Sequence, residues 1–560
     1  MKSRSFLFLA ALLSLLLVFS AVGCGGDDDD DNNASDDDDD DTYLGDDDDN
    51  DDNDDLTPPP GDWDGVSVTD VEAPDQYTVE VQLSASPGAA AAANANIYTI
   101  TSDYGSLNVQ DATFAKANVV TLTTGKQKLG VEYTLTIEPT EYAGEPLTGA
   151  FPAADTARFW TWDFATGDQY QITAYRGGIG ETCVVYVESG QSVADVAHTI
   201  EVFDDQVYPI ETELFTEAPD VDGNGRILIL GLDGGEYFGG YFSGVNQYSD
   251  DESMSWWGLH SNEADMVHVN SLYGSLMVEN VVPHEFQHLL YNAEHGNNYE
   301  YWEYHDEGLA EAAVHAVFGI HQGALDYYLA DPEQEIGNGL SLVHWVYANY
   351  DNYVQAYLWW IYLAGRLDGI DSLADIFHLE NGNPNEVDDF IATELGSTMV
   401  DEVIHYELAA WLQEESGAYG FNGMLSWTPG AAPTVAVDTT SVDLEPFGGT
   451  LFRLAQTSVE YPGTQGTHIV YYGVDGDGNI DDSEPFDVDG GALLVYNSSD
   501  RHITFPSEHS GPDLPALGSA RAKGAPINPA WLDPPPIHPE RLDRLAAWRY
   551  RTLERIRRSQ

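Results

Sequence analysis

The chain predicts a multidomain α+β protein: a β-sandwich, then a mixed sheet joined to a mainly helical half, then a small C-terminal β-sandwich. Three observations predict it. Short alternating segments bounded by Gly, Pro, Asn and Asp run from Val66 to about Glu138 and return from Thr434 to about Phe505. Between them, helical patterns dominate residues 340–415. At the centre stands His284-Glu285-Phe286-Gln287-His288, which places two imidazoles and a carboxylate on little more than one helical turn.

Taken from its start, the chain opens with Lys2 and Arg4 before an apolar run from about Phe6 to Val22, the pattern of a secretory signal over residues 1–23. Ala21-Val22-Gly23-Cys24 resembles a bacterial lipobox. That resemblance implies a lipid on Cys24, so the mature protein is either anchored to a bacterial membrane, by preference the outer one, or secreted. With Cys24 so used, Cys183 is the remaining cysteine and no intramolecular disulfide can form. Residues 24–60 continue as a tether, with 19 Asp in residues 27–55, too acidic to bury a core. At roughly 5–6 Å × √n it spans on the order of 30 Å. A solvated spacer is the simpler reading of it and a calcium-collecting tail the other.

Of the 96 acidic residues, those outside the tether still outnumber the 20 Lys and Arg several-fold, so the folded body is itself strongly acidic. Phosphate binding needs the opposite sign, which excludes nucleic acid as an expected partner.

Residues 61–145 read as the first sandwich, through YTVEVQLSA, NIYTITSD, GSLNVQDATFA, ANVVTLTT and VEYTLTIE. They resemble bacterial Ig-like domains, with a spacer or adhesion role. A Gly/Pro/Ala-rich stretch then leads into the central region, 158–425, with strand-like RFWTWDF, YQITAYRGG and ETCVVYVESG, a helix over VADVAHTIEVFDDQVYPIETELF, and ILILGLD as a buried strand. Asp220-Val221-Asp222-Gly223-Asn224-Gly225 matches half of a calcium loop, but Gly231 occupies the twelfth position where Glu is required. Asp475 to Asp481 is a similar partial match with Ile480 in place of Gly. Calcium is a secondary cofactor reading at such places; a polar turn is the simpler one. GGEYFGGYFSGVNQY is either a peptide-binding sheet edge or an ordinary hairpin.

In the HEFQH helix, His284 and His288 share a face and can grip one Zn2+, while Glu285 addresses water on that ion. Pro283 directly precedes His284, which places the histidine in a first helical turn or at a kink. Nineteen residues beyond His288, in WEYHDEGLAEAAVHAVF, stands Glu307. With Trp302 before it and Gly308-Leu309-Ala310 after, this arrangement resembles the gluzincin metallopeptidases. The ordered set ETCVVYVE, DGNGRILIL, GGYF, SNEADMVHVN, HEFQHLL, DEGLAE and YVQAYLWWIYLAG resembles, more narrowly, their hyicolysin family.

The resemblance implies a gluzincin-type domain with zinc on His284, His288 and Glu307, Glu285 as general base, a protein or peptide substrate, and Glu311 orienting a zinc histidine. It also implies an oxyanion-stabilising Tyr or His beyond the third ligand, for which Tyr353 and Tyr357 are candidates. Gly274-Ser-Leu-Met-Val-Glu-Asn280 looks like an aminopeptidase strand motif but lies almost against the metal helix, so an endopeptidase is favoured. The competing expectation is a non-catalytic Ig-containing adhesion or calcium-binding protein with a structural metal.

The run around Trp359 is too short and too rich in Tyr to cross a bilayer and reads as core. Residues 430–506 read as the second sandwich. Residues 507–560 form a Pro-rich linker and a basic helix striped with Leu542, Leu545, Trp548 and Leu553, suited to an anionic membrane, to the acidic body, or to removal.

Overall fold

The structure is a computed structural model, and it describes residues 62–505 apart from short interior stretches, of which 460–468 is the longest. The signal, Cys24, the Asp-rich tether and the basic C-terminal helix lie outside the described residues.

The first sandwich pairs two four-stranded sheets around a core that includes Val79, Val81, Val120, Leu122, Leu135 and Ile137. Every segment that alternates in the sequence is a strand here, with its apolar residues inward. Two further strands extend the unit. Val68–Asp75 pairs with Thr78–Leu83, and Leu147–Pro152 pairs with Glu132–Ile137, so the sandwich runs past residue 145 into the expected linker. Leu147–Pro152 is an edge strand, where its terminal proline costs no ladder bond.

The sandwich also sits directly on the central region. Lys126 Nζ reaches Glu263 at 2.7 Å, Lys128 Nζ donates to Gly223 O at 2.9 Å, and Leu129 joins a core built from the central sheet.

That central sheet has six strands in the spatial order Gly240–Phe242, Met266–Asn270, Ile227–Leu232, Cys183–Glu188, Asp168–Ile179, Thr156–Asp163. The three inner strands are parallel and nearly wholly buried, which is why they read as continuous apolar runs. Gly240–Phe242 is the antiparallel edge strand next to the HEFQH helix. The opposite edge curls back toward it, and the hydroxyls of Thr161 and Tyr241 are hydrogen-bonded at 2.8 Å.

The helix expected over 193–215 is interrupted. Val196–Val202 and Tyr208–Leu214 are α-helical, but Phe203–Val207 between them is a π-helical turn in which Tyr208 N–H donates to Phe203 O. Two local causes are visible. Pro209 has no N–H to bond the preceding turn, and Asp204 is held by the N–H groups of Glu181 and Thr182 and the Thr182 hydroxyl, at 2.6–2.8 Å.

The helical half packs its long helix, Tyr350–Arg366, against Glu303–Phe318, with Trp359, Trp360, Tyr357 and Tyr362 wholly enclosed. Among the described residues no helix is long and apolar enough to cross a membrane. The C-terminal strands form a four-stranded sheet and two short pairs. Residues of this unit, among them Phe447, Leu451 and Leu494, share the core of the helical half. Other residues of the unit, among them Val435, Phe452, Tyr471 and Val495, form a second core of their own.

Candidate metal centre

The HEFQH helix spans Val281–His295 and is continuous, capped by the Asn280 side chain, which accepts from Val281 N at 2.8 Å. Pro283 is its third residue, inside the first turn, where a missing N–H removes no intrahelical bond. His284 therefore stands at the end of that turn. Most of the helix is buried all round, and Phe286 packs between Phe203, at 5.2 Å, and Tyr208, at 5.8 Å. Burying such a ring contributes roughly 1.5–3 kcal/mol and fixes the rotation of the helix.

The second helix, Glu303–Phe318, carries Glu307. Its neighbour Gly308 lies against Trp360: a β-carbon there would meet the indole Cδ1 at 2.6 Å and Ala356 Cβ at 2.8 Å. The glycine lets the two helices close on each other, and this brings Glu307 to the histidines.

The three side chains converge. His284 Nε2 and His288 Nε2 are 3.2 Å apart, and Glu307 Oε2 lies 3.3 Å from the first and 3.2 Å from the second. A tetrahedral ion with bonds of about 2.0–2.1 Å has ligand atoms about 3.3–3.4 Å apart. The triangle thus has the size of one face of a zinc coordination tetrahedron, and the donor set of two imidazoles and one carboxylate suits zinc.

The far nitrogens of the histidines are also engaged. His288 Nδ1 donates to Asp306 Oδ1 at 2.7 Å with both residues buried, and His284 Nδ1 faces Glu311 Oε1 at 3.4 Å. The second contact agrees with the expectation for Glu311. Asp306 was not singled out by sequence reasoning; its signal is that it directly precedes Glu307 and occupies a different face of the same helix.

Glu311 Oε2 lies 3.0 Å from His321 Nδ1, and burial, which raises its pKa, is outweighed by His284 and His321, which hold it down at about 2. For His288, burial favours the neutral ring, yet Asp306 and Glu307 outweigh it and push the pKa up to about 9.

Glu285 is buried at 5% exposure on the sheet side of the helix. Its position is set by Gly240 of the edge strand, where a β-carbon would meet Glu285 Cγ at 2.8 Å and Val281 Cγ1 at 2.5 Å. Another carboxyl that sequence reasoning missed, Glu211, is wholly buried with neither oxygen hydrogen-bonded among the described residues. Burial pushes its pKa well above the usual range, with His284 pulling the other way.

The two tyrosine candidates separate. The Tyr353 ring stacks beside His284 at 6.2 Å. Tyr357 is enclosed, and its hydroxyl is committed to His315 Nδ1 at 2.8 Å and to the His321 N–H at 3.1 Å, so it supports the Glu311–His321 contact from behind. Residues 274–280 lie in turns ahead of the metal helix rather than in a strand.

Of the calcium-like stretches, the first brings Asp220 and Asp222 together with Asp265. Asp220 and Asp265 each accept a backbone N–H of the same turn, from Gly225 and Val221, and Asp222 accepts the N–H of Asn224. Asp475 likewise accepts from Asp477 and Asn479.

The site thus has a group of three side chains that could hold a divalent metal, with the buried Glu285 carboxylate on the same helix. The chain is similar to the neutral metalloprotease ShpI of Staphylococcus hyicus, at 26% identity over 300 residues, covering 48% of this chain and 65% of that protein. It therefore matches slightly less than two thirds of that relative's length. No family model matches the chain. Solved structures of the S-layer protein SbsC align with 17–19% of the chain at 17–18% identity and TM-scores of 0.14–0.15, likenesses too slight to bear on the fold.

Proposed function

We propose that the chain is a zinc-dependent metalloendopeptidase of gluzincin type acting on extracellular proteins outside the cytoplasm, secreted or held to a membrane by a lipid on Cys24. The observation that carries this reading is the ligand triangle of His284, His288 and Glu307 at 3.2–3.3 Å with Glu285 retained beside it. The similarity to a neutral metalloprotease supports it.

Zinc held there supplies a Lewis acid for the scissile carbonyl and lowers the pKa of attacking water. The chain's own residues do the rest. His284 and His288 present Nε2 to the ion because Glu311 and Asp306 occupy their Nδ1 atoms, which fixes tautomer and ring orientation. Glu285, held under Gly240, takes the proton from the attacking water and delivers it to the leaving amine. Tyr353, beside His284, is the residue proposed to steady the developing oxyanion, in preference to Tyr357. An extended substrate backbone is proposed to run along Gly240–Phe242, the strand whose Gly240 abuts Glu285.

The competing reading, an adhesion protein with a structural metal, has no use for Glu285. Metal analysis and casein hydrolysis of the full chain beside Glu285→Gln separate the two. Equal zinc in both proteins with hydrolysis by the unmodified chain alone supports the peptidase; equal zinc with no difference in hydrolysis rejects it.

A further inference from the structure

Asn270 ends the strand Met266–Asn270 and is 3% exposed. Its side chain bonds the glycine-rich segment that leads from Leu232 into the edge strand. Asn270 Oδ1 accepts the Gly234 N–H at 3.1 Å, and Nδ2 donates to Gly235 O and to Phe238 O, both at 2.8 Å. One amide thus serves as acceptor once and as donor twice, each time at a different point of the segment. The Asn270 backbone N–H adds a fourth bond, to Gly239 O at 2.8 Å.

The segment needs such an anchor. Gly235 stands at φ +57°, and a β-carbon on Gly234 would meet Asn270 Cγ at 2.9 Å. Glycine suits both places, yet it loses the most backbone freedom on ordering, and bonds to one buried side chain offset that loss.

What the anchor places is Gly240. The register sets Gly240 opposite Val269 and Tyr241 opposite His268, with the Asn270 N–H on Gly239 O. Antiparallel pairs alternate between bonded and non-bonded, so Gly240 falls in a non-bonded pair and its own N–H and C=O turn away from the neighbouring strand. Its place is therefore set by Gly239 before it and Tyr241 after it, and Gly239 is held by Asn270. Gly240 in turn sits against the metal helix, where a β-carbon would meet Glu285 Cγ at 2.8 Å and Val281 Cγ1 at 2.5 Å. A misplacement of about 1 Å at a reacting group costs on the order of 10²-fold in rate.

We infer that Asn270 is a positioning residue for the proposed general base. By holding Gly234, Gly235, Phe238 and Gly239 it sets Gly240, and through Gly240 the placement of Glu285. This inference rests on the peptidase reading.

The test is Asn270→Asp in the zinc-loaded full chain. Aspartate keeps the shape and the acceptor for Gly234, but sets a carboxylate against the Gly235 and Phe238 carbonyls. The readouts are peptide-hydrolysis kinetics, zinc affinity by chelator competition, and amide hydrogen exchange by mass spectrometry. A kcat lower by about tenfold is expected, with KM and zinc affinity within about threefold. Exchange should quicken in peptides covering residues 238–242. Combined with Gly240→Ala, the loss in kcat should stay well short of the product of the two single losses, because both act on one carboxylate. Should Asn270→Asp fail to fold, Gly234→Ala presses a methyl group on Asn270 from the other side and is expected to give the same signature.

Unchanged kcat despite quicker exchange, a loss carried by KM or by zinc affinity, or a double variant that loses the full product overturns the inference and leaves the peptidase reading intact. No hydrolysis by the unmodified chain removes the peptidase reading instead. Exchange then decides, and an unchanged rate over 238–242 overturns the inference.

Discussion

Replacing Asp306 with Asn tests how the chain would aim the proposed zinc. Asp306 accepts from His288 Nδ1 at 2.7 Å, with the histidine 3% and the aspartate 7% exposed. A buried hydrogen bond to a charged group contributes about 1.5–3 kcal/mol. Asn keeps the shape and one acceptor but loses the charge that holds the Nδ1–H tautomer and makes Nε2 a stronger donor to the ion. Loss of such a partner costs about 10–100-fold in metal affinity, or about 1.4–2.7 kcal/mol at 1.36 kcal/mol per decade. The assay is competition for zinc between the full chain and a chromophoric chelator, with zinc-dependent Tm as the second readout. The Asp306→Asn chain should lose zinc at roughly 10–100-fold lower chelator strength, and its zinc-free Tm should change much less than its zinc-loaded Tm. Zinc affinity within about twofold of the unmodified chain would refute the claim that Asp306 fixes His288 for the metal.

Three further outcomes are expected. Gly240→Ala drives a methyl group to 2.8 Å from Glu285 Cγ, so the peptide-hydrolysis kcat should fall by on the order of tenfold or more while zinc affinity holds within a few-fold, as read by kinetics beside chelator competition. His321→Leu removes the ring 3.0 Å from Glu311 Oε2 and leaves that carboxylate bound to His284 alone; zinc affinity should weaken by about three- to tenfold in the same competition. Asp222 is raised to about 7 by burial and by the charge of Asp265. Because a free aspartate ionises near 3.9, its destabilising effect is absent below pH ~4, grows as pH rises toward 7 and is complete above it. Asp222→Asn should therefore raise denaturant stability at pH 8, by at most about 4 kcal/mol, and leave it nearly unchanged or slightly lower at pH 4.

How much of this was legible in the sequence follows from where the information lies. His284, His288 and Glu307 could be picked out as a candidate set because two of them sit four apart on one helix and the third stands in a recognisable local phrase. Their convergence needed only that two helices meet. Gly308 is part of that phrase, and the structure gives its reason, the Trp360 ring against it. Asp306 was not readable as a partner of His288, since an Asp–Glu pair in a helix does not say which residue turns inward. Gly240 against Glu285 is a contact between distant segments, and no spacing encodes it. In the fold, the alternating strands were plain. Val68–Asp75 was not, because its acids and alternate-face exposure blur the pattern. The π-helical turn was hidden for a related reason: its apolar spacing still reads as a helix, and its cause, Asp204 capping the 181–182 turn, is tertiary. Spacing is also silent on the contacts between units: the first sandwich and the C-terminal strands each place residues in cores built with the central region beside cores of their own.

Zinc K-edge X-ray absorption of the full chain tests the central claim most directly. The account predicts one zinc per chain in a four-coordinate nitrogen and oxygen shell at about 2.0–2.1 Å, with the multiple scattering of two imidazoles, and loss of that shell in Glu307→Ala. A six-coordinate all-oxygen shell, a sulfur shell, or a spectrum that Glu307→Ala leaves unchanged would contradict it.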